Sequence, residues 1–165
     1  MDDLARALIA WFGDLPMSDF MIASRRAWPI AESFHFVGLC LLVGIVGLFD
    51  LRLMGFVKSI SPAALHRLIP FAILGFLINV ASGITFLSAT PDQYLGGNAA
   101  FELKMAFMAA AGLNVGIFYT TQFRTVRTLG PGDDAPLAAR IIGGASLVLW
   151  ISIMTCGRLI TFYRP

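Results

Sequence analysis

Residues 28–49 read WPIAESFHFVGLCLLVGIVGLF, and Glu32 and His35 are the only ionisable side chains of Asp, Glu, Lys, Arg or His type among them. A bilayer's hydrocarbon core is about 30 Å thick, and a helix rising about 1.5 Å per residue crosses it with about 20 apolar residues. This stretch therefore reads as a membrane-spanning helix. Three further segments qualify on the same count: about Leu65–Ala89, Ala99–Gln122 and Ala138–Phe162. Asp50–Ala64, Thr90–Asn98 and Phe123–Leu137 connect them, the last carrying Gly130-Pro131-Gly132-Asp133-Asp134. Short turn-forming links make consecutive helices antiparallel. The expected fold is an all-α, integral membrane four-helix bundle, a single domain over residues 1–165.

Composition agrees. Of 165 residues, 58% are hydrophobic and 13% charged, against about 25% charged in an ordinary soluble domain. Mean hydropathy is +0.79. The net charge of +2 is small and its basic residues are dispersed, which argues against nucleic acid as a partner. Cys40 and Cys156 lie in apolar stretches and form neither a disulfide framework nor a CxxC metal motif. Cys40 reads as a small packing residue.

Residues 1–26 form an interfacial segment ahead of the first span. Leu4, Ala7, Leu8, Trp11 and Phe12 share one helical face, the spacing of an amphipathic helix lying in the membrane plane. Asp14 and Pro16 end it, and Ser18 is placed to cap a second short helix. Met1-Asp2-Asp3 lacks the basic start of a signal peptide, so the first span serves as the insertion signal. Arg52, Lys58, Arg67, Arg124, Arg127 and Arg140 flank the first and third connections, against Arg25, Arg26 and Arg164 on the other side. The positive-inside rule then sets those connections in the cytoplasm and both termini outside, the periplasm of a bacterium with this chain in its inner membrane.

Ionisable groups within spans cost roughly 2.5–3.5 kcal/mol each on insertion scales and mark functional candidates. Glu32 and His35 stand three apart on the first span; Glu102 and Lys104 open the third; Arg158 closes the fourth, near Met154 and Cys156. Antiparallel threading brings these to the outer end of the bundle. Each also has a structural reading. Lys104 and Arg158 can snorkel to water, Glu102 can face the positive helix end, and Glu32 with Arg158 can form an ion pair. His35 sits deepest, near Gly38 and Gly44, where a flat ligand or a neighbouring helix can approach. His66 opens the second span at the opposite face, so the two histidines do not share one haem. Asn79 and Asn114 are expected to bond neighbouring helices. Gly112 with Gly116, and Gly143 with Ala139, read as packing surfaces, within the bundle or between protomers. Met105, Met108 and Met154 are soft side chains of the type that ligates copper, and more often simply pack.

Phe34-His35-Phe36-Val37-Gly38, followed by Gly44, Gly47 and Asp50-Leu51-Arg52-Leu53, with Phe101-Glu102-Leu103-Lys104 opening the third span, resembles the CopD-like group of bacterial membrane proteins. That group includes the HemJ-type protoporphyrinogen oxidases, and the ending Gly157-Arg158-Leu159-Ile160 is similar to an uncharacterised bacterial family of the same size. The resemblance implies that His35 matches a haem-ligating histidine and Lys104 a lysine needed for activity. Where the HemJ-type helix carries a further histidine this chain has Asn114, which argues against protoporphyrinogen oxidation itself. What remains implied is a b-type haem with His35 as one axial ligand, Met105 or Met154 as candidates for the other, and Lys104 and Arg158 beside the propionates, Glu32 lying close by. The competing expectations are a CopD-like copper-handling protein, using His35, Met105, Met154 and Cys156, and a cofactor-free membrane scaffold or accessory subunit, with lipid, a second copy or a membrane complex as its partner.

Overall fold

The computed structural model describes residues 3–163; Arg164, counted above for orientation, and the start Met1-Asp2 lie outside them. Among the described residues the chain is all-α, without strands. The elements are α1 (Asp3–Gly13), α2 (Pro16–Ala23), α3 (Ala27–Met54), α4 (Pro62–His66), α5 (Ile69–Ala89), α6 (Pro91–Leu95), α7 (Ala99–Ile117), a π-helical turn (Phe118–Gln122), α8 (Phe123–Val126) and α9 (Leu137–Leu159). Four helical stretches are long and apolar enough to cross a membrane: Ala27–Met54, Pro62–Ala89, Ala99–Val126 and Leu137–Leu159.

The first long helix outruns its expected end. It continues through Asp50 and Arg52 and stops at Gly55, whose φ of +94° is the left-handed conformation that glycine adopts without penalty. In the second span, Ser61 caps α4 by accepting from the Ala64 N–H, and Pro70 lies in the first turn of α5, where its missing N–H costs nothing. Ser18 does not act as a cap: α2 begins at Pro16 with Leu15 at its N-cap position, and Ser18 lies buried inside the helix.

Contacts along the helices run in opposite sequence directions. Trp28 meets Phe86, His35 meets Ser82, and Phe49 meets His66, so α3 and α5 are antiparallel. Gly47 faces Leu147 while Gly144 faces Met54, so α3 and α9 are antiparallel as well. Asn114 bonds Ile142 and Lys104 reaches Gly157, which makes α7 antiparallel to α9. The lateral order is α5–α3–α9–α7, with α3 packed against both α5 and α9. The ring is not closed, because α5 and α7 scarcely touch.

Two of these contacts depend on glycine. A Cβ on Gly75 would stand 2.7 Å from the Gly38 carbonyl oxygen and 2.9 Å from the Leu42 amide nitrogen. A Cβ on Gly143 would stand 3.1 Å from the Asp50 carbonyl oxygen. Small residues let helix backbones come this close. Gly143 and Ala139 therefore form a packing surface within the bundle, whereas Gly112 and Gly116 have nothing within 4 Å of where a Cβ would sit.

The end that carries the first and third connections holds the densest core: Phe49, Leu53, Leu65, Phe118, Val126, Ala135 and Ala139. Arg52, with 0% of its surface exposed, donates to the carbonyls of Ile60 and Gly130 and so ties both connections to α3. Gly132 N–H also donates to the Lys58 carbonyl, and Lys58 pairs with Asp134 at 2.6 Å. At the other end, Asn98 caps α7 through Oδ1 and donates from Nδ2 to Ile160 and Tyr163 carbonyls beyond α9. Helices α1 and α2 pack beside this second end, α1 on α6 and α5, and α2 on α5 and α3. Leu4, Leu8 and Trp11 of α1 remain exposed.

Candidate functional site

Polar groups gather in two places. The first lies at the Asn98 end. His35 Nδ1 is 2.8 Å from Ser82 Oγ, and Ser82 directs its own hydroxyl proton to the Ile78 carbonyl, 2.7 Å away. A serine has one proton to give, so in this pair Ser82 accepts and His35 Nδ1 donates. Nε2 is then the ring nitrogen with a free lone pair in the neutral imidazole. The ring also meets the edge of Phe86 at 5.6 Å. Lys104 enters from α7, its Nζ 3.6 Å from where a Cβ on Gly157 would lie, and within electrostatic reach of His35 and Cys156.

Other residues expected at this end share the level without joining the His35 cluster. Glu32, Glu102 and Arg158 are exposed, and among the described residues Glu32 and Arg158 form no ion pair. Arg158 instead lies over the Phe162 ring, 5.7 Å from its centre. Met105 and Met154 are 39% and 37% exposed, on the α7 and α9 faces that carry Met108 and Trp150 one turn away. Cys40 is exposed too and packs on no core, while Cys156 is buried. Gly38 admits α5 and leaves no space for a flat ligand. Asn79 bonds the Gly75 carbonyl of its own helix, so only Asn114 makes the expected interhelical bond, to Ile142 at 3.2 Å. His66 lies at the opposite end, as expected, bonded to Tyr119 Oη at 3.0 Å, with its ring centre 4.7 Å from that of Phe123 and tilted by 40°.

The second place is made of residues that no motif or hydropathy feature of the sequence brings together. Where α5 and α7 fail to meet there is a cavity of about 360 Å³, lined by residues of all four spans. Ala72, Ile73 and Phe76 form one wall, and Met108, Ala111, Gly112 and Val115 the other. The polar lining comes from Asp50, Ser146, Trp150, Asn114 and Tyr119. Asp50 is only 5% exposed, and Ser146 lies beside its carboxyl group. Asp50 Oδ2 and Trp150 Nε1 are both buried without a hydrogen-bond partner among the described residues. Arg52 Nη1 and Asn79 Oδ1, neither of them from a residue that lines the cavity, are in the same state. The π-helical turn widens the third span at this level and carries Phe118 and Tyr119, both of which line the cavity. Such turns recur at functional sites.

A model of the family DUF6644, described as a family of unknown function, matches residues 27–163, so the chain belongs to that family. Comparison with curated proteins finds no match, and comparison with solved structures finds none either.

Proposed function

We propose that this DUF6644 member is an integral membrane protein whose open seam between α5 and α7 receives an apolar small molecule from the bilayer. The observation that carries the reading is the seam itself: two spans that scarcely touch, with a cavity of about 360 Å³ between them and a polar floor. Ligand sites are concave, largely apolar and fitted with a few polar groups, and they favour the spaces between bundle helices. The outer surfaces of the spans suit lipid, with Phe34, Phe36, Phe71, Leu74, Leu113 and Val148 all exposed. Lys58, Arg67, Arg124, Arg127 and Arg140 favour a cytoplasmic position for the first and third connections, and hence the inner membrane of a bacterium with outer termini.

Trp150 supplies the probe, because it lines the cavity and the chain has only two other tryptophans, Trp11 and Trp28. In vesicles holding the Trp11→Phe, Trp28→Phe protein, 1-bromohexane should quench Trp150 emission saturably. Gly112→Phe, which fills the space, should remove the saturable part. Quenching that rises linearly with the amount partitioned, unchanged by Gly112→Phe, overturns the reading.

A b-type haem on His35 is the second reading, favoured by the Ser82 bond that leaves Nε2 free. Histidine ligands commonly donate through their other nitrogen in this way. His35 would hold the group, Ser82 would orient the ring, and Lys104 is placed to neutralise a propionate; the haem, when bound, would supply one-electron chemistry. Arg158, exposed and lying over the Phe162 ring, does not fit the role of propionate partner. An absorption spectrum as isolated and after dithionite tests it. A Soret band removed by His35→Ala supports the reading, and a flat spectrum from haem-replete expression ends it.

A further inference from the structure

We infer that the seam receives one acyl chain of an anionic phospholipid from the leaflet on the side of the first and third connections, with the head group held by Arg67, Arg124 and Arg127. The inference rests on the cavity reading above and names the occupant.

The cavity's lining sets the chemistry of what enters. Asn114 Nδ2 donates to the Ile142 carbonyl, Tyr119 Oη is bonded to His66, and Asp50 Oδ2 and Trp150 Nε1 are closed off by burial. The surface left to an occupant is almost wholly aliphatic and aromatic. A polar group placed there would lose water without gaining a partner, whereas a hydrocarbon chain loses nothing. At about 360 Å³ the space is at the small end of ligand pockets, which run from about 300 to about 1,000 Å³, and suits a chain rather than a whole lipid.

Its position sets the leaflet. The lining runs on α3 from Leu42 to Leu53, next to the last residue of that helix, and on α5 from Ile69, its first residue, to Phe76. None of Glu32, His35, Lys104 or Arg158 borders the cavity. At the rim the His66–Tyr119 bond joins the two spans at 3.0 Å, and the Phe123 ring centre is 4.7 Å from that of His66. Arg67 follows His66 in the chain and Arg124 follows Phe123, so both arginines flank this junction, with Arg127 one turn beyond Arg124. All three are exposed and pair with no acid among the described residues. The exposed acids of the same end are engaged, Asp134 with Lys58 and Asp133 with the Gly130 N–H. Three uncompensated guanidiniums beside an apolar slot complement an amphiphile with an anionic head, and their planar forks match phosphate.

The test uses the protein whose only tryptophan is Trp150, in phosphatidylcholine vesicles. A rising fraction of the lipid is replaced by phosphatidylglycerol, or by phosphatidylcholine, brominated midway along one chain. Bromine quenches an indole on contact, so the two curves give the relative affinity of the two lipids. Phosphatidylglycerol should be preferred about 5-fold, the equivalent of about 1 kcal/mol. Gly112→Phe should make quenching by both lipids shallower. Arg67→Gln, Arg124→Gln and Arg127→Gln combined should bring the preference to about one while brominated phosphatidylcholine still quenches. Arg25→Gln with Arg26→Gln, exposed at the other end, should leave it unchanged. A parent without preference overturns the head-group assignment, as does a preference that survives the triple variant or falls equally in the Arg25, Arg26 one. Lipid quenching that Gly112→Phe leaves unaltered, beside saturable 1-bromohexane quenching that it removes, overturns the acyl chain and keeps the cavity reading. Absence of saturable 1-bromohexane quenching overturns the cavity reading itself.

Discussion

Arg52 on α3 donates from Nη2 to the carbonyl of Gly130, 3.0 Å away and 78 residues along the chain. Its Nε donates to Ile60 at 2.6 Å, so one guanidinium holds the first and third connections together. The side chain is fully buried, and each of these bonds involves a charge. Charged hydrogen bonds are worth about 1.5–3 kcal/mol each. Arg52→Leu should therefore destabilise the bundle by about 3 kcal/mol, read as thermal unfolding in detergent. Arg52→Lys should recover only part, because an ammonium lacks the planar fork that spans two carbonyls. An unfolding midpoint unchanged in Arg52→Leu would mean the connections are held by something else.

Gly75 should tolerate no side chain. A Cβ there meets backbone atoms of α3 at 2.7 and 2.9 Å, and backbone does not step aside. Gly75→Ala should cost about 1–3 kcal/mol, the usual range for overpacking. Gly83 on the same helix has nothing within 4 Å of its Cβ position, so Gly83→Ala should be neutral or slightly stabilising through helix propensity. Equal midpoints for the two variants would argue against the close α3–α5 crossing.

What the sequence reveals here and what it hides have one cause. Hydropathy identifies the spans, because membrane crossing is a matter of length and apolar content, and all four segments overlap the helices found. The inward face is another matter. The long helices are apolar on every side, so periodicity selects no core stripe. Charged letters then invite a loop assignment, and Asp50-Leu51-Arg52 reads as the end of a span when α3 runs on through it to Met54. That reading removes Asp50 from the intramembrane list and with it the floor of the cavity. Gly55 was the available signal: a helix without Gly or Pro between Gly47 and Gly55 has no reason to stop at a single aspartate. His35 was visible because it stands well inside an apolar run, and Lys104 because it is a basic residue within the third span. Side-chain pairing was not: Glu32 and Arg158 share their level, yet both are exposed and form no ion pair with each other among the described residues.

The clasp between Lys58 and Asp134 should depend on pH. The hydrogen bond from Lys58, and then its charge, hold the Asp134 carboxyl below the ordinary aspartate range. A lowered folded-state value means the contribution is complete above the unfolded-state value and is lost as pH falls through the folded one. Both partners are solvent-accessible, so the effect should be local. Amide exchange at Gly132, whose N–H donates to the Lys58 carbonyl, is the readout. After correction for intrinsic rates, protection should fall on acidification in the parent and be pH-independent in Asp134→Asn. Identical acid profiles for the two proteins would sever the link between the ion pair and the loop.

Asn98 separates two jobs within one side chain. Its Oδ1 accepts from the Ala100 and Phe101 amides and caps α7, while its Nδ2 reaches the carbonyls of Ile160 and Tyr163 past the end of α9. Aspartate keeps the cap and loses the donor, so Asn98→Asp should leave the start of α7 protected while freeing the segment after Leu159. It also brings a carboxylate against those carbonyl oxygens, which adds repulsion to the lost bonds. Asn98→Ala loses both jobs, and the cap alone is worth about 1 kcal/mol. Hydrogen exchange resolved by peptide distinguishes them. In Asn98→Asp, peptides covering residues 156–163 should exchange faster while those covering 99–104 do not. In Asn98→Ala both should quicken. If Asn98→Asp speeds exchange in residues 99–104 as much as Asn98→Ala does, then the start of α7 is held from the α9 side and the cap is secondary.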